Sequence, residues 1–285
     1  MGQQAIRKAI AALGTRLGPD VLERCRALFD GEQQLLAARV PVAASDCAYG
    51  PHERHRLDLY GGGAGTDLRP VLLFVHGGGF LMGDKGGEGR WPNAAVGRMA
   101  AERGWLGAVI NYRLAPDHQW PAGSEDVLAA FDWLRDNAAQ HGGDPERIVL
   151  IGTSAGAVHC AGALKLRPDL AARGLVLLSG LYGYTPLDGR DGLYYGEEAL
   201  YPERMPREAV AGTGLPLLLA CAQFDPPRFQ AEWAGLIAER LERHGALPRC
   251  HYASGHNHYT MAMHLGTADR RLEGEIAAFV SDCCG

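Results

Sequence analysis

Short apolar runs alternate with amphipathic stretches along most of the chain. Runs bounded by turn residues predict buried strands, at residues 71–75, 105–111, 148–151, 175–179, 215–222 and 249–253. Stretches with apolar positions at helical spacing predict the intervening helices, at residues 124–140, with Ser124 as the N-cap, 229–244 and 269–280. Strands that alternate with helices in this way predict an α/β fold, in which helices flank a mostly parallel central sheet.

Three segments depart from this alternation. Residues 3–17 and 21–38 carry apolar positions at helical spacing and predict two amphipathic helices. Residues 56–60 alternate polar and apolar positions, as a half-exposed antiparallel strand does. Residues 180–214 contain five tyrosines and lie between two predicted strands. We therefore expect one domain over residues 1–285, with N-terminal cap helices in residues 1–45 and a short lid insertion at about 180–214.

Composition narrows the class of partner. The 285 residues are 47% apolar and 21% charged, and 28 basic and 33 acidic residues give a formal charge of −5. The charges are scattered, so we expect neither a nucleic-acid partner nor a membrane partner. No apolar run is long enough to span a membrane, and no signal peptide is visible. Seven cysteines without C-x-x-C spacing indicate reduced thiols and a cytoplasmic location.

The most informative motif is Gly152-Thr153-Ser154-Ala155-Gly156, which follows the predicted strand 148–151 and precedes a stretch rich in alanine. A G-x-S-x-G sequence between a strand and a helix is the signature of a nucleophile elbow, which exposes its serine on a sharp turn. Glycines flank the serine because a Cβ at either position would collide with the strand or the helix. The motif predicts an α/β-hydrolase fold with Ser154 as nucleophile.

Other residues of the same chemistry lie at the ends of further strands. The run His76 to Phe80 has three consecutive glycines after strand 71–75, and their N–H groups could bind a carbonyl oxygen that gains negative charge. Asp225 follows strand 215–222, where the acid of such an enzyme orients its histidine. The loop after the last strand holds both His256 and His258, and the residues alone leave the choice between them open. Nucleophilic catalysis by such residues requires no metal or organic cofactor, and the histidines of this region match no zinc spacing. We therefore expect neither a metal nor an organic cofactor.

From about residue 48 onwards the chain resembles the hormone-sensitive-lipase-like carboxylesterases, a branch of the α/β-hydrolases. The motifs that carry the resemblance are HGGGF at 76–80, NYRLAP at 111–116, GDPERI at 143–148, DPPR at 225–228 and GHNH at 255–258. The resemblance implies hydrolysis of esters with small or medium acyl groups through an acyl-enzyme. It assigns the catalytic roles to Ser154, Asp225 and His258, and the oxyanion-binding N–H groups to Gly78, Gly79 and Ala155. We expect Arg113 and Asp126 to hold loops by ion pairs and His76 to order the glycine run, and none of the three to take part in catalysis.

Other functions share the same residues. An arylformamidase or other amidase, a thioesterase and a cyclase would all use the triad, and Tyr49-Gly50-Pro51 and the GHNH loop also resemble arylformamidases. A ligand-binding module that has lost catalysis would be expected to lack a triad member. Ala157 stands where a second glycine often follows the elbow, and the lid has no recognisable signature. We expect a small-molecule ester as the partner, and a homodimer remains an open expectation.

Overall fold

The computed structural model describes residues 2–63 and 67–285, in which an eight-stranded sheet forms the centre of the fold. The strand order is β1-β2-β4-β3-β5-β6-β7-β8. The strands are β1 Val42–Ala48, β2 Arg56–Tyr60, β3 Arg69–Val75, β4 Leu106–Ile110, β5 Gly143–Thr153, β6 Gly174–Leu178, β7 Leu217–Phe224 and β8 Arg249–Asn257. Strands β3 to β8 are parallel, whereas β2 runs antiparallel to its neighbours β1 and β4. The predicted fold, with a mostly parallel sheet, is therefore confirmed.

Helices bury both faces of this sheet. They are α1 Gln3–Leu13, α2 Pro19–Arg39, α3 Ala94–Glu102, α4 Ala122–Asn137, α5 Ala155–Leu166, α6 Gly189–Tyr195, α7 Tyr201–Arg204, α8 Arg207–Gly212, α9 Pro227–His244, α10 Thr260–Met263 and α11 Arg271–Cys284. Successive side chains of β3 enter separate cores: Leu73 packs in the core that α4, α5 and α9 cover, and Phe74 in the core that α3 and α11 cover. Among the described residues, no helix is both long and apolar enough to cross a membrane.

The edge of the sheet at β1 and β2 differs from the sequence prediction. We expected residues 56–60 to be half exposed, but β2 is buried from its second residue onwards. Leu59 packs in the core that α4 covers, and Tyr60 packs in the core that α3 covers. The buried Asp58 carboxylate is paired with Lys85, whose Nζ lies 2.7 Å away. Neither α3 nor β1 was predicted. Strand β1 has no apolar run, and it is interrupted near Asp46, whose φ is +52°.

Several element boundaries also shift. Helix α1 ends at Leu13 and not at residue 17, because Gly14 adopts a φ of +62°. Ser124, expected as an N-cap, lies inside α4, whose N-cap is Pro121. The first strand of the chain, β1, begins at Val42, so the expected limit of the cap helices at residue 45 falls within β1. Residues 180–214 contain α6, α7 and α8.

The N-terminal helices pack over the segment that follows β8. Arg7 of α1 forms an ion pair with the buried Asp269 at 3.1 Å. The N–H of Gly18 donates to the Tyr259 hydroxyl at 2.9 Å, and the Gln33 amide of α2 donates to two backbone carbonyls of this segment, each at 2.8 Å. The first two helices are therefore bonded to the stretch of chain that begins just after the end of the sheet.

The close approach of β3 to α5 generates a stability prediction. A Cβ on Gly156 would lie 2.0 Å from the Val75 carbonyl oxygen and 2.6 Å from that of His76, and backbone atoms have little room to move. We expect Gly156→Ala to lower the free energy of unfolding by about 2 kcal/mol or more. Gly274→Ala is the control, because nothing lies within 4 Å of a Cβ at this helical position. The control should gain about 0.5–1 kcal/mol. Denaturant unfolding of the two variants measures both changes, and an unchanged Gly156→Ala would refute the packing argument.

Candidate active site

The serine of the elbow lies at a strained turn between β5 and α5. Ser154 has φ 53° and ψ −122°, which L residues rarely adopt. The turn needs glycine beside it, because a Cβ on Gly152 would lie 2.4 Å from the Gly156 carbonyl carbon. The Ser154 N–H donates to the Leu178 carbonyl of the neighbouring strand β6 at 2.8 Å. The turn therefore holds the half-buried Ser154 side chain at the carboxyl end of the sheet.

A histidine joins this serine to a buried carboxylate. The His258 Nε2 lies 2.9 Å from Ser154 Oγ, and its Nδ1 lies 2.7 Å from Asp225 Oδ1. Asp225 follows β7 and His258 follows β8, so three strand ends supply the three side chains. The His258 ring is buried and packs against Phe229, with ring centroids 4.2 Å apart. With Nδ1 protonated, Nε2 is free to accept the hydroxyl proton of Ser154.

The other oxygen of Asp225 is also fully hydrogen-bonded. Its Oδ2 accepts from Ser179 Oγ at 2.6 Å, from the Ala222 N–H at 2.7 Å and from Cys221 Sγ at 3.2 Å. Burial raises the pKa of Asp225, but the hydrogen bond and charge interaction with His258 and the bonds from Ser179 and Ala222 outweigh burial and lower it. The carboxylate is thus ionised at neutral pH and fixed in one orientation.

The glycine loop runs beside Ser154. A Cβ on Gly77 would lie 3.2 Å from Ser154 Cβ, and Gly78 and Gly79 adopt φ angles of +138° and +58°. Within the described part of the chain, the N–H groups of Gly78, Gly79 and Ala155 donate to no backbone or side-chain acceptor. Ala155 also begins α5, whose N-terminus carries partial positive charge. The arrangement can stabilise negative charge on an oxygen bound beside Ser154.

His76, Arg113 and Asp126, which we expected to hold loops, bond to backbone or to each other. His76 is fully buried, its Nδ1 lies 2.7 Å from the Gly77 carbonyl, and burial lowers its pKa to about 4. Its own carbonyl accepts from the Tyr112 hydroxyl at 2.8 Å. Arg113 pairs with the buried Asp126 at 2.6 Å. His76 and Tyr112 thus hold the start of the glycine loop, and the Arg113–Asp126 pair joins the segment after β4 to helix α4.

His256 occupies a different environment from His258. Its Nε2 lies 3.4 Å from Asp269 and its Nδ1 lies 3.2 Å from the Thr260 hydroxyl, while its ring stacks on His264 at 3.9 Å. Burial lowers the pKa of His256 despite the opposing effect of Asp269. Among the residues described, no group of three or more His, Cys, Asp or Glu side chains is placed to hold a metal ion. Of the two histidines that the sequence left open, the structure brings His258 to Ser154.

Two residues that contribute to this region were missed in the sequence. Ser179 follows β6 directly and has a φ of +48°; its place at a strand end next to the elbow strand was the available signal. Glu232 appeared to be an ordinary helical residue. It is fully buried and accepts backbone N–H groups of residues 182–185, at 2.6 Å from Tyr182 and 2.8 Å from Thr185. No local pattern revealed this contact, because its partners are some fifty residues earlier.

Comparisons with known proteins agree with the fold. A family model described as the alpha/beta hydrolase fold matches residues 72–210. The solved "hyperthermophilic esterase" of the archaeon Pyrobaculum calidifontis has a TM-score of 0.71 at 22% identity, over 98% of each chain. The chain therefore has the α/β-hydrolase fold, as the motifs predicted.

Two curated relatives have higher identity over shorter stretches. "Probable isoprenylcysteine alpha-carbonyl methylesterase ICMEL1" of Oryza sativa subsp. japonica is 43% identical over 126 residues, which are 44% of this chain and 28% of that protein. "Carboxylesterase NlhH" of Mycobacterium tuberculosis is 38% identical over 122 residues, which are 43% of this chain and 37% of that protein. The chain thus spans about a third of the length of the curated relatives it matches.

The contact between Ser179 and Asp225 can be tested through stability. We expect Ser179→Ala to lose about 1.5–3 kcal/mol at pH 7, because a buried carboxylate loses a donor. Ser179→Gly should lose less, since glycine relieves the positive φ. A lowered pKa stabilises the fold above the ordinary aspartate value of about 3.9, and this contribution is lost as pH falls through the lowered value. Unfolding measured from pH 7 downwards should therefore show the gap between wild type and Ser179→Ala narrowing in acid. A gap that is constant with pH would exclude Asp225 as its origin.

Proposed function

We propose that this chain is a serine carboxylesterase. The observation that carries the proposal is the hydrogen-bonded triad of Ser154, His258 and Asp225, in which His258 lies 2.9 Å from Ser154 and 2.7 Å from Asp225. Beside it lie N–H groups of the glycine loop that donate to no protein acceptor among the described residues. Relatives named as a methylesterase and a carboxylesterase support ester hydrolysis. A ligand-binding module without catalysis would not need this complete triad.

The proposed reaction has two steps. Ser154 Oγ attacks the ester carbonyl carbon while His258 Nε2 takes its proton, and Asp225 stabilises the resulting imidazolium. The N–H groups of Gly78, Gly79 and Ala155 bind the oxyanion, and one such donor is typically worth about 10²–10³ in rate. The alcohol leaves with the proton of His258. A water deprotonated by the same imidazole then attacks the acyl-serine and releases the acid, which returns Ser154 to its starting state.

Packing beside the serine supports small or medium acyl groups. Phe80 of the glycine loop stacks on Tyr194 at 4.5 Å, and both lie in a buried cluster with Ala155, Tyr195 and Met205. These side chains fill space next to the N-terminus of α5 that a long acyl chain would need. An amide or thioester with a compact acyl group would meet the same constraint.

We further propose roles for the segments around this centre. Residues 180–214 act as a lid, which Glu232 ties to α9 through the backbone of residues 182–185. Helices α1 and α2 act as a cap on the segment after His258. Both belong with the sheet to one domain over residues 1–285.

Location and assembly complete the proposal. All seven cysteines are unpaired, which supports a reducing compartment such as the cytoplasm. We propose a homodimer as the assembly, which light scattering would test. The partner at the site is a small-molecule ester.

The activity is tested with p-nitrophenyl esters from acetate to decanoate, and an N-formyl aromatic amine measured in parallel. We expect turnover to be highest for short or medium acyl groups and to fall at least about 10⁴-fold in Ser154→Ala. Comparable turnover in wild type and Ser154→Ala would contradict the proposal. Activity confined to the formamide would identify an amidase on the same residues.

The assignment of the histidine is tested by a matched pair of variants. His258→Ala should lower kcat/KM by about 10⁴-fold or more, since the general base is lost. His256→Ala should act mainly on stability, because His256 contacts Asp269 and Thr260 and not Ser154. Steady-state kinetics and thermal unfolding of both proteins distinguish these effects. If His256→Ala had the larger kinetic effect, the proposed triad would be wrong.

A further inference from the structure

A lid arginine lies directly against the glycine loop. Arg190 is the second residue of α6, and its side chain is exposed. A Cβ built on Gly79 would lie 2.8 Å from Arg190 Nε and 2.9 Å from its Cζ and Nη2. The guanidinium therefore covers the Cα of Gly79, a residue whose N–H we assign to the oxyanion. Any residue larger than glycine at position 79 would therefore displace the Arg190 side chain.

The acidic residues nearest to Arg190 in sequence are bonded elsewhere. Asp188 Oδ2 pairs with Arg228 at 2.6 Å, and Asp191 also pairs with Arg228. Asp188 Oδ1 accepts the backbone N–H groups of Arg190 and Asp191 as the cap of α6. Over residues 2–63 and 67–285, no carboxylate forms an ion pair with the Arg190 side chain. Its guanidinium is therefore available to pair with a bound anion.

Other groups of positive sign also lie near the glycine loop. The N-terminus of α5 begins at Ala155 and adds partial positive charge. Arg54 donates to the carbonyl of Gly83, which follows the glycine loop, at 2.9 Å. Asp225, the carboxylate of the triad, is buried, and its ion-pair partner is His258 and neither of these arginines. A substrate whose carbonyl lies at Gly79 would meet the Arg190 guanidinium on the lid side.

We propose that Arg190 binds a carboxylate of the substrate, so that the enzyme prefers esters that carry a negative charge in their acyl or alcohol portion. This inference rests on the proposed esterase activity and names its substrate class. A planar guanidinium suits a carboxylate because it can donate two parallel N–H bonds. Arg190 is exposed without substrate, and a bound ester between the lid and the glycine loop would exclude water from the pair and strengthen it.

The test compares charged and neutral esters of matched shape. For the acyl side, mono-(p-nitrophenyl) adipate is compared with p-nitrophenyl hexanoate. For the alcohol side, 4-acetoxybenzoate is compared with its methyl ester. Each kcat/KM is measured in wild type, in Arg190→Gln and in Arg207→Gln, at low and high salt. Arg207 is the control because it lies in the same lid but pairs with Glu239 and covers the Tyr184 ring.

We expect Arg190→Gln to lower kcat/KM for the charged member of one pair by about 10-fold, and that of its neutral partner by less than about 2-fold. The side of the ester that shows the effect identifies the position of the carboxylate. High salt should reduce the wild-type preference, and Arg207→Gln should leave the charged-to-neutral ratio unchanged.

Other results would overturn the inference. Equal losses on charged and neutral esters in Arg190→Gln would mean that the arginine supports the lid or the oxyanion instead. An equal fall of the ratio in Arg207→Gln would indicate a general field and not a contact. Neutral esters hydrolysed by wild type but not by Ser154→Ala would leave the proposed function standing in both cases, whereas no hydrolysis of any ester would remove the function and this inference together.

Discussion

The hydrogen bonds of His258 to Ser154 and Asp225 are the constraint on which the rest of the site depends. Each partner comes from the end of a different strand, and the three ends meet because β5, β7 and β8 are parallel members of one sheet. The imidazole needs a fixed tautomer to accept the serine proton. The fully bonded Asp225 provides that tautomer, since both of its oxygens have donors and neither is left to rotate.

Buried polar side chains connect the outer segments to this centre. Asp269, in the segment that follows His258, holds Arg7 of the first helix. Glu232 holds the start of residues 180–214 to the helix that follows Asp225. Each buried carboxylate must be satisfied by several donors, so each one fixes the position of the chain around it. The cover of the site is thus coupled to its base by specific bonds as well as by apolar packing, and Arg190 lies on this cover.

The features that were predicted correctly are those that neighbouring residues in the sequence determine. The strands of the parallel core, the elbow at Ser154 and the place of Asp225 follow from apolar runs, glycine sterics and strand ends. Strand β1 was missed because its side chains are mostly exposed, and the burial of β2 was missed because α3 covers it. The distinction between His256 and His258, the strained Ser179 and the contacts of Glu232 and Arg190 depend on residues far apart in the chain. No periodicity encodes such contacts, although the resemblance to esterases did select His258.

Covalent trapping is the most direct test of Ser154 as the nucleophile. Diethyl p-nitrophenyl phosphate transfers its diethylphosphoryl group to an activated serine and releases p-nitrophenolate. The resulting phosphorylated serine is hydrolysed only slowly. We expect one equivalent of p-nitrophenolate per chain and a diethylphosphoryl group on the peptide that contains Ser154, with labelling greatly slowed in His258→Ala. Labelling at another serine, or no labelling of the folded protein, would contradict the proposed site.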